Sequence, residues 1–466
     1  MISKMSKLKI SGIIALFTML LMVTGNSAFG QSQYTLEQAI DHAKKKNTAV
    51  LNAKLDVEAA EQEVKSIVAT GLPQINATGN FMHNIEIPSQ VLPDFLSPAI
   101  YGVLMNEGLI PNGPINSGQS QTVQFGAPST LTGSVTLNQL VFDGTYFLGL
   151  KAAKEYVNVS TLSEEQTTID VIESVTKAYY LALFSDRNLS LLKTSRENLQ
   201  KVYSDTKKLH ENGLAEQLDV DRLEFSLSNI DAQIVQLEAG KILAYKNLKL
   251  QMGLSVDEEI ELSESEINIA ETQVVQTQAE ISNRVEYRML EQAIVLDKMN
   301  IKRYKVGYIP SLGFSFQHQQ NSFASAAEFE GLGDVWNPGT FYVLNLSIPI
   351  FDGFNKKAKI QKAKIQLEKD ENLQKELENA LKLQKEQALL NYQTQVANFD
   401  TRKKNTELAT RIYDQTNKKY QEGLGSSFEL IQAESDKTMA DIEYSNALYQ
   451  LIVSKIELHK ALGLLN

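Results

Sequence analysis

The chain of 466 residues has no cysteine, which excludes disulfides, thiolate metal sites and a lipid carried on an N-terminal cysteine. Proline is scarce and confined. All ten prolines fall in two windows, at positions 73, 88, 93, 98, 111, 114 and 128 and at 310, 338 and 349. Since proline removes a helix donor and clashes with the preceding turn, the stretches 129–309 and 350–466 are free to form very long helices. Catalytic signatures are missing too: there is no HExxH pair, no P-loop and no GxSxG. The five histidines, His42, His83, His210, His318 and His459, are scattered and read as surface or packing residues. "GLGDVW" at 331–336 lacks the third glycine and the strand-to-helix setting of a dinucleotide loop. No sequence for ATP hydrolysis is present.

Long apolar runs are equally rare. One stands at the start, where Lys4, Lys7 and Lys9 precede Ile10 to Val23 and small residues follow at Ala28 and Gly30. That is the pattern of a secretory signal peptide cut before Gln31; the run is short for a membrane anchor and no stop-transfer flank follows. Beyond Gln31 no window approaches the roughly 18 consecutive apolar residues of a transmembrane helix, so a membrane crossing here requires a barrel. Cleavage removes three lysines and no acid, taking the net charge from -11 to about -14, which argues against a nucleic-acid partner.

Outside the proline windows, Lys151 to Lys249 and Lys356 to Leu462 are rich in Leu, Ala, Glu, Lys and Gln, with apolar residues at threes and fours. These are amphipathic or coiled-coil helices. Inside the windows the period falls to two. Leu312, Phe314 and Phe316 alternate with Gly313, Ser315 and Gln317, and Tyr342, Leu344, Leu346 and Ile348 with Val343, Asn345 and Ser347. With weaker alternation over 134–142 and 73–81, four strands are expected.

The chain repeats itself. "LVFDG" at 140–144 returns as "PIFDG" at 349–353, and "VYSDTKKLHENGL" at 202–214 lies on "IYDQTNKKYQEGL" at 412–424, matching Gly213 with Gly423 and Leu214 with Leu424. Glu224 meets Glu434, Asp231 meets Asp441, and "MGL" at 252–254 meets "LGL" at 462–464. Upstream the offset widens from 209 to 237, and the extra 28 residues fall between about 82 and 128, where most prolines are. Such an insertion belongs in a loop between strands. Each half reads helix, strand, loop, strand, long helix, turn, long helix. In this frame FDG ends a strand and opens a helix: Asp143 and Asp352 cap free backbone donors, while Gly144 and Gly353 allow the change of direction. The first long helix, from about Thr145 to Asn212, would span on the order of 100 Å. Four half-apolar strands cannot close a barrel; eight from two copies leave a filled bore, and twelve from three leave an aqueous lumen.

The signal sequence, "YTLEQAIDHAKKKNTAVLNAK", "GLPQI", the two FDG corners and the paired turns "HENGLAEQLDV" and "YQEGLGSSFEL", in this order and duplicated, resemble the TolC family of outer-membrane efflux proteins over the whole mature chain. The resemblance implies a mainly α fold with β: a trimeric outer-membrane β-barrel with four strands per protomer, continued by a long coiled-coil α-helical barrel. It implies a homotrimer set in outer-membrane lipid, docking on a periplasmic adaptor and an inner-membrane transporter, with no cofactor and no enzymatic activity. The domains would be a signal peptide (1–30), an N-terminal periplasmic helix (31–72), barrel strands with a long extracellular loop (73–142), a first helical hairpin (143–254), an acidic equatorial linker (255–281), a second periplasmic helix (282–309), two further strands (310–352) and a second hairpin (353–466).

In the family the hairpin ends meet the adaptor, which puts Gly213, Leu214, Gly423 and Leu424 at the docking tip. The glycines also serve as helix C-caps, whereas a leucine exposed at a solvated tip calls for a partner. Asp219 and Glu429 fall where the family places acids at the periplasmic mouth, though Ser426 with Glu429 also fits a capping box. Arg222 and Gln432 stand where further acid would strengthen such a gate. Trp336 and the run "FDGTYF" fit either a membrane interface or packing at the barrel junction. The function expected is a passive exit duct for small molecules. The alternatives are an exit duct for type I polypeptide secretion, a periplasmic coiled-coil adaptor, which normally has one hairpin rather than two, and a periplasmic enzyme, for which no catalytic cluster is visible.

Overall fold

A computed structural model describes residues 32–92, 96–114, 120–124, 126–263, 280–324 and 332–465. The expected signal peptide and most of the 255–281 linker lie outside the described residues. In chain order the elements are β1 (Ser32–Tyr34), α1 (Leu36–Lys46), α2 (Thr48–Thr70), β2 (Gln74–His83), β3 (Ser89–Leu92), α3 (Leu96–Asn106), β4 (Gln121–Gln124) and β5 (Ser129–Phe142). There follow α4 (Gly144–Glu211), α5 (Gln217–Met252), β6 (Ile260–Leu262), α6 (Val285–Val306), β7 (Ser311–Ala324), β8 (Asn337–Ser347), α7 (Asn355–Gln421) and α8 (Ser427–Ala461). They form two compact units, one of Met1–Leu55, Leu162–Arg288 and Lys375–Asn466, the other of Asp56–Thr161 and Met289–Gln374.

The second unit holds the four expected strands as one antiparallel sheet in the order β2-β5-β7-β8. No Asp, Glu, Lys or Arg occurs in any of them. Cross-strand rows sort the side chains. Ile75, Leu137, Phe316 and Tyr342 share one row, and Ala77, Val135, His318 and Thr340 the next row on that face. The opposite face carries Thr78 with Ser134, Asn138 with Ser315 and Thr132 with Asn321, each pair hydrogen-bonded at 2.8–2.9 Å. A register shift between Leu140 and Phe142 carries Phe142 across to stand opposite Leu312 on the apolar face, as a β-bulge does. The insertion falls between β2 and β5 as expected, but it holds the 11-residue helix α3 and the antiparallel pair β3–β4 rather than plain loop.

The first unit is helical. Its largest cluster joins Ala39, Ala43 and Val50 to Val175, Ala178, Tyr179 and Ala182 of α4 and to Ala244, Leu248 and Met252 of α5. Alanine at so many contacts lets helix axes approach closely, and a further apolar cluster ties Phe184 to Phe399, Leu448 and Leu451. The single helix expected over 31–72 is two, because Asn47 is extended at φ -63, ψ 130. Its side chain holds the break: Oδ1 accepts the Ala49 N–H at 2.8 Å and Nδ2 donates to the Gln251 carbonyl, at the end of α5, at 2.7 Å. The duplication repeats this device with other chemistry. Arg284, 237 positions on, donates through Nη1 to the Ala461 carbonyl at the end of α8 at 2.9 Å and pairs with Glu286 at 2.6 Å.

The two FDG corners divide the labour differently. Asp143 caps α4, its Oδ1 accepting the Thr145 N–H at 2.7 Å and the Thr145 hydroxyl at 2.6 Å; Asp352 Oδ2 accepts the Lys356 N–H at 3.0 Å. Gly353 has φ +65 and is followed by Phe354, also left-handed at φ 66. Gly144 does not have a positive φ; it is required by closeness, since a Cβ there would lie 2.1 Å from Val306 Cγ1. The expectation that glycine turns the chain thus holds at 353 and is replaced at 144 by a packing reason.

These two reasons are separable by mutation. Gly144→Ala should destabilise the purified protein, and adding Val306→Ala should restore most of the loss, because it deletes the methyl that is struck. Gly353→Ala meets no atom within 4 Å and should cost about 1–2 kcal/mol through backbone strain alone, unrelieved by Val306→Ala. Denaturation midpoints of the two double-mutant cycles check this; additive losses at 144 and 306 would contradict the packing account.

Candidate functional site

The ends of the helical hairpins, all in the first unit, are built alike. At the end of α4, Gly213 has φ 72, its N–H bonds the His210 carbonyl at 2.8 Å and the Leu214 N–H bonds the Leu209 carbonyl at 2.8 Å. At the end of α7, Gly423 has φ 74, with Gly423 N–H to Tyr420 at 3.0 Å and Leu424 N–H to Lys419 at 2.8 Å. Both are Schellman endings, in which the left-handed residue lets two N–H groups satisfy the last carbonyls. Their consequence is that the following leucines project: Leu214 is 76% and Leu424 77% exposed, with Leu218 and Phe428 also exposed nearby in sequence.

Asp219 and Glu429 occupy the first turns of α5 and α8, yet the two are not equivalent. Asp219 Oδ1 accepts the Ser427 hydroxyl at 2.7 Å and lies 4.0 Å from Arg222 Nη1. Arg222 also stacks over Phe428, 5.4 Å from the ring centroid. Glu429 gives its backbone N–H to Ser426 Oγ at 3.2 Å, the hydroxyl half of the expected capping box, and its side chain is exposed.

What sequence reading missed is a ladder of polar ties between the hairpins. Beyond Asp219–Ser427, Thr206 Oγ1 and the Tyr420 hydroxyl are 2.7 Å apart, Asn198 Nδ2 donates to Glu434 Oε1 at 3.2 Å, the Thr438 hydroxyl donates to Ser195 Oγ at 2.8 Å and Asn188 Nδ2 to Asn446 Oδ1 at 3.0 Å. Thr206, Ser195 and Glu434 are buried. The available signal was small polar or charged residues at positions in phase with the apolar stripe. Beside Glu434, burial and then that carboxylate push the Tyr413 hydroxyl up to about 12.

Farther along α4 and α8 the tie becomes ionic. Lys177 bridges Glu173 at 2.7 Å and Glu457 at 2.8 Å, and Lys460 bridges Asp170 and Glu173 at 2.6 Å each. Burial raises the Glu173 carboxyl, but hydrogen bonds and charge from Lys177 and Lys460 outweigh it and hold it below the usual carboxylate value. Among the described residues no group of three or more His, Asp or Glu is disposed to hold a metal, and no helix is long and apolar enough to cross a membrane.

A charge-free sheet with one apolar and one neutral polar face, in a chain otherwise made of long helical hairpins, defines a membrane channel protein. Sequence comparison gives the particular kind: residues 39–254 and 277–464 match the Outer membrane efflux protein family, one segment per repeat, and the chain belongs to that family. It is therefore an outer-membrane efflux channel extending into the periplasm, not an enzyme. Among curated proteins no sequence match is found. The fold is shared with CusC at 16% identity and TM-score 0.69, covering 93% of this chain and 92% of that one. It is shared also with the outer membrane channel CmeC of Campylobacter jejuni, at 15% and 0.66 with 92% and 85% covered, and with the open state of the outer membrane channel MtrE of Neisseria gonorrhoeae, at 16% and 0.63 with 92% and 88% covered.

The Glu173 contacts set a pH dependence. A carboxyl held below its unfolded value stabilises fully above that value, about pH 4.3, and the benefit disappears as pH falls through the folded one. Glu173→Gln should therefore cost on the order of 1 kcal/mol near neutrality, after allowance for solvent screening, and flatten the loss of stability as pH falls below about 4.3. Parallel acid-unfolding curves for the variant and the parent would refute this.

Proposed function

We propose that three copies of the chain form a passive exit duct through which small molecules, delivered by a periplasmic adaptor and an inner-membrane transporter, leave the cell. The observation that carries this is the sheet with two open edges. β2 and β8 lie at its ends, and β2 is exposed along its whole length. Free strand edges are not tolerated in hydrocarbon, so β8 of one copy would pair with β2 of the next. Three copies supply twelve strands, enough for a water-filled lumen. The apolar rows then face lipid, and Asn, Gln, Ser and Thr line the lumen, a wall that neither concentrates nor repels ions. The chain has no nucleotide-binding sequence, so the transporter supplies the energy.

The hairpin ends carry the docking assignment. Leu214 and Leu424 present apolar side chains at turns that need only their glycines to form, which frees the leucines for a partner. Opening at this end would require the tips to separate and the polar ties between hairpins to exchange with water.

Leu214→Lys with Leu424→Lys should leave a heat-stable trimer and an intact pore in planar bilayers, while crosslinking to the adaptor falls at least about tenfold and drug export in whole cells is lost. Undiminished crosslinking would refute the tip assignment; loss of the trimer itself would place these residues in assembly.

For the mouth, Glu429→Ala should reduce cation preference more than Asp219→Ala, because Asp219 is already engaged by Ser427 and Arg222. Reversal potentials in a salt gradient measure this. Values unchanged in both variants, with stability lowered by about 0.3–1 kcal/mol, would leave the two carboxylates as helix-end residues only.

A further inference from the structure

Positive charge stops abruptly along this chain. No lysine or arginine lies between Lys65 and Lys151, or between Lys305 and Lys356, so the whole sheet and the segments joining its strands carry none. The cations resume at the corner end of the same unit. Lys356, Lys357, Lys359, Lys362 and Lys364 crowd the first ten residues of α7, Lys302, Arg303 and Lys305 close α6, and Lys151 and Lys154 lie early in α4.

The α7 cluster stands against local electrostatics. A helix N-terminus is the positive end of the macrodipole and favours acids, yet the first turn of α7 contains none. Lys356 is accounted for, 3.3 Å from Asp352 and 5.3 Å from the centre of the Tyr308 ring. Lys357, Lys359, Lys362 and Lys364 are exposed, and among the described residues none of the four is held in an ion pair. A second oddity adjoins them. Ile350 is 93% and Phe351 74% exposed, and Phe354, kept left-handed at φ 66, sets its ring edge-on to Phe351 at 5.4 Å. The first corner has a similar exposed pair, Phe142 and Phe147, at 6.1 Å. Strain retained beside exposed aromatics marks a place where something else supplies the compensation.

We propose that this corner is a membrane-surface anchor, in which Ile350, Phe351 and Phe354 enter the acyl–headgroup boundary and Lys357, Lys359, Lys362 and Lys364 bind the phosphates of anionic phospholipid in the periplasmic leaflet. Apolar and aromatic side chains settle at that boundary, and clustered lysines beside it are drawn to an anionic surface. From Lys357 to Lys364 the helix rises about 10 Å, so the four lie within roughly one Debye length of the headgroups. The headgroups supply counter-charge to the four lysines, beyond the one carboxylate, Asp352, that serves the helix start and Lys356. The proposal rests on the reading above that the sheet lies in the outer membrane with its corners toward the periplasm.

The test uses the purified assembly in uncharged detergent, with added phosphatidylglycerol or phosphatidylcholine, following thermal stability and, by native mass spectrometry, bound lipid. Phosphatidylglycerol should be retained at least about tenfold over phosphatidylcholine and raise the melting midpoint more, an advantage lost in 1 M NaCl. The K357Q/K359Q/K362Q/K364Q variant should lose the preference while its oligomeric state and pore conductance persist. Equal effects of the two lipids on the parent, or a preference surviving in the variant, would overturn the anchor. So would an equal gain from millimolar inorganic phosphate, or a variant whose ion selectivity changes while its lipid preference does not. Absence of a conducting oligomer in the parent would instead overturn the duct reading, which keeps the two failures distinguishable.

Discussion

Lipid offers no donor or acceptor to a backbone, and this single constraint orders the rest of the molecule. A strand in hydrocarbon must be paired on both sides. The four strands of one chain satisfy that internally only for β5 and β7, leaving β2 and β8 each with an open edge. The sheet cannot therefore be a finished object, and its side chains agree. The strands carry no charged residue to blunt an edge in water, which is what an edge destined for solvent would need. The same constraint moves every charge out of the sheet, so that the cations gather beyond its corners and, the Lys356–Asp352 pair at a corner apart, the ionic ties described above lie in the helical unit.

Gene duplication gave two copies of each device, and each pair has since been put to different use. Asn47 and Arg284 both cap the end of a distant helix, one through a neutral amide and one through a buried guanidinium balanced by Glu286. Gly144 and Gly353 occupy the same letter of the same motif, yet one is demanded by a neighbouring methyl and the other by its backbone angle. Asp219 is tied down while Glu429 is free to face solvent. A duplicated fold keeps the geometry of its joints more strictly than the chemistry that makes them.

That distinction decides what the sequence could disclose. The long helices were legible because proline is missing from them and apolar residues recur in phase, and the predicted start and end of α4 fall within one residue of the observed Gly144 and Glu211. Strands over 312–317 and 342–348 were legible from strict alternation. The outer half of β7, with His318, Gln319 and Gln320 in succession, was not, since its pairing is imposed by neighbours rather than by its own pattern. Helix α3 was hidden among prolines that signal loop. The projecting leucines at the two helix ends could be located because Gly-Leu repeats at the two turns, but the polar ladder between hairpins could not. Its partners lie more than two hundred positions apart, and no local period links Thr206 to Tyr420.

The ladder bears on the opening proposed for the tips. In the part of the helical unit nearest β1 and β6, the core is a broad cluster drawn from α1, α2, α4 and α5, and burial of that kind is strongly favoured in water. Toward the turns the apolar cluster narrows to Leu199, Leu223 and Leu227, with Ile431 of the other hairpin packed against it, and hydrogen bonds join the hairpins beside that contact. A hydrogen bond exchanged for water changes stability by only about 0.5–1.5 kcal/mol, so each rung adds little to the cost of parting the hairpins beyond that of the apolar contact. Opening is nonetheless not free, because Glu434 and Thr206 are buried and a rung broken without water entry leaves an unsatisfied polar group. The proposed separation of the tips would thus be coupled to their wetting.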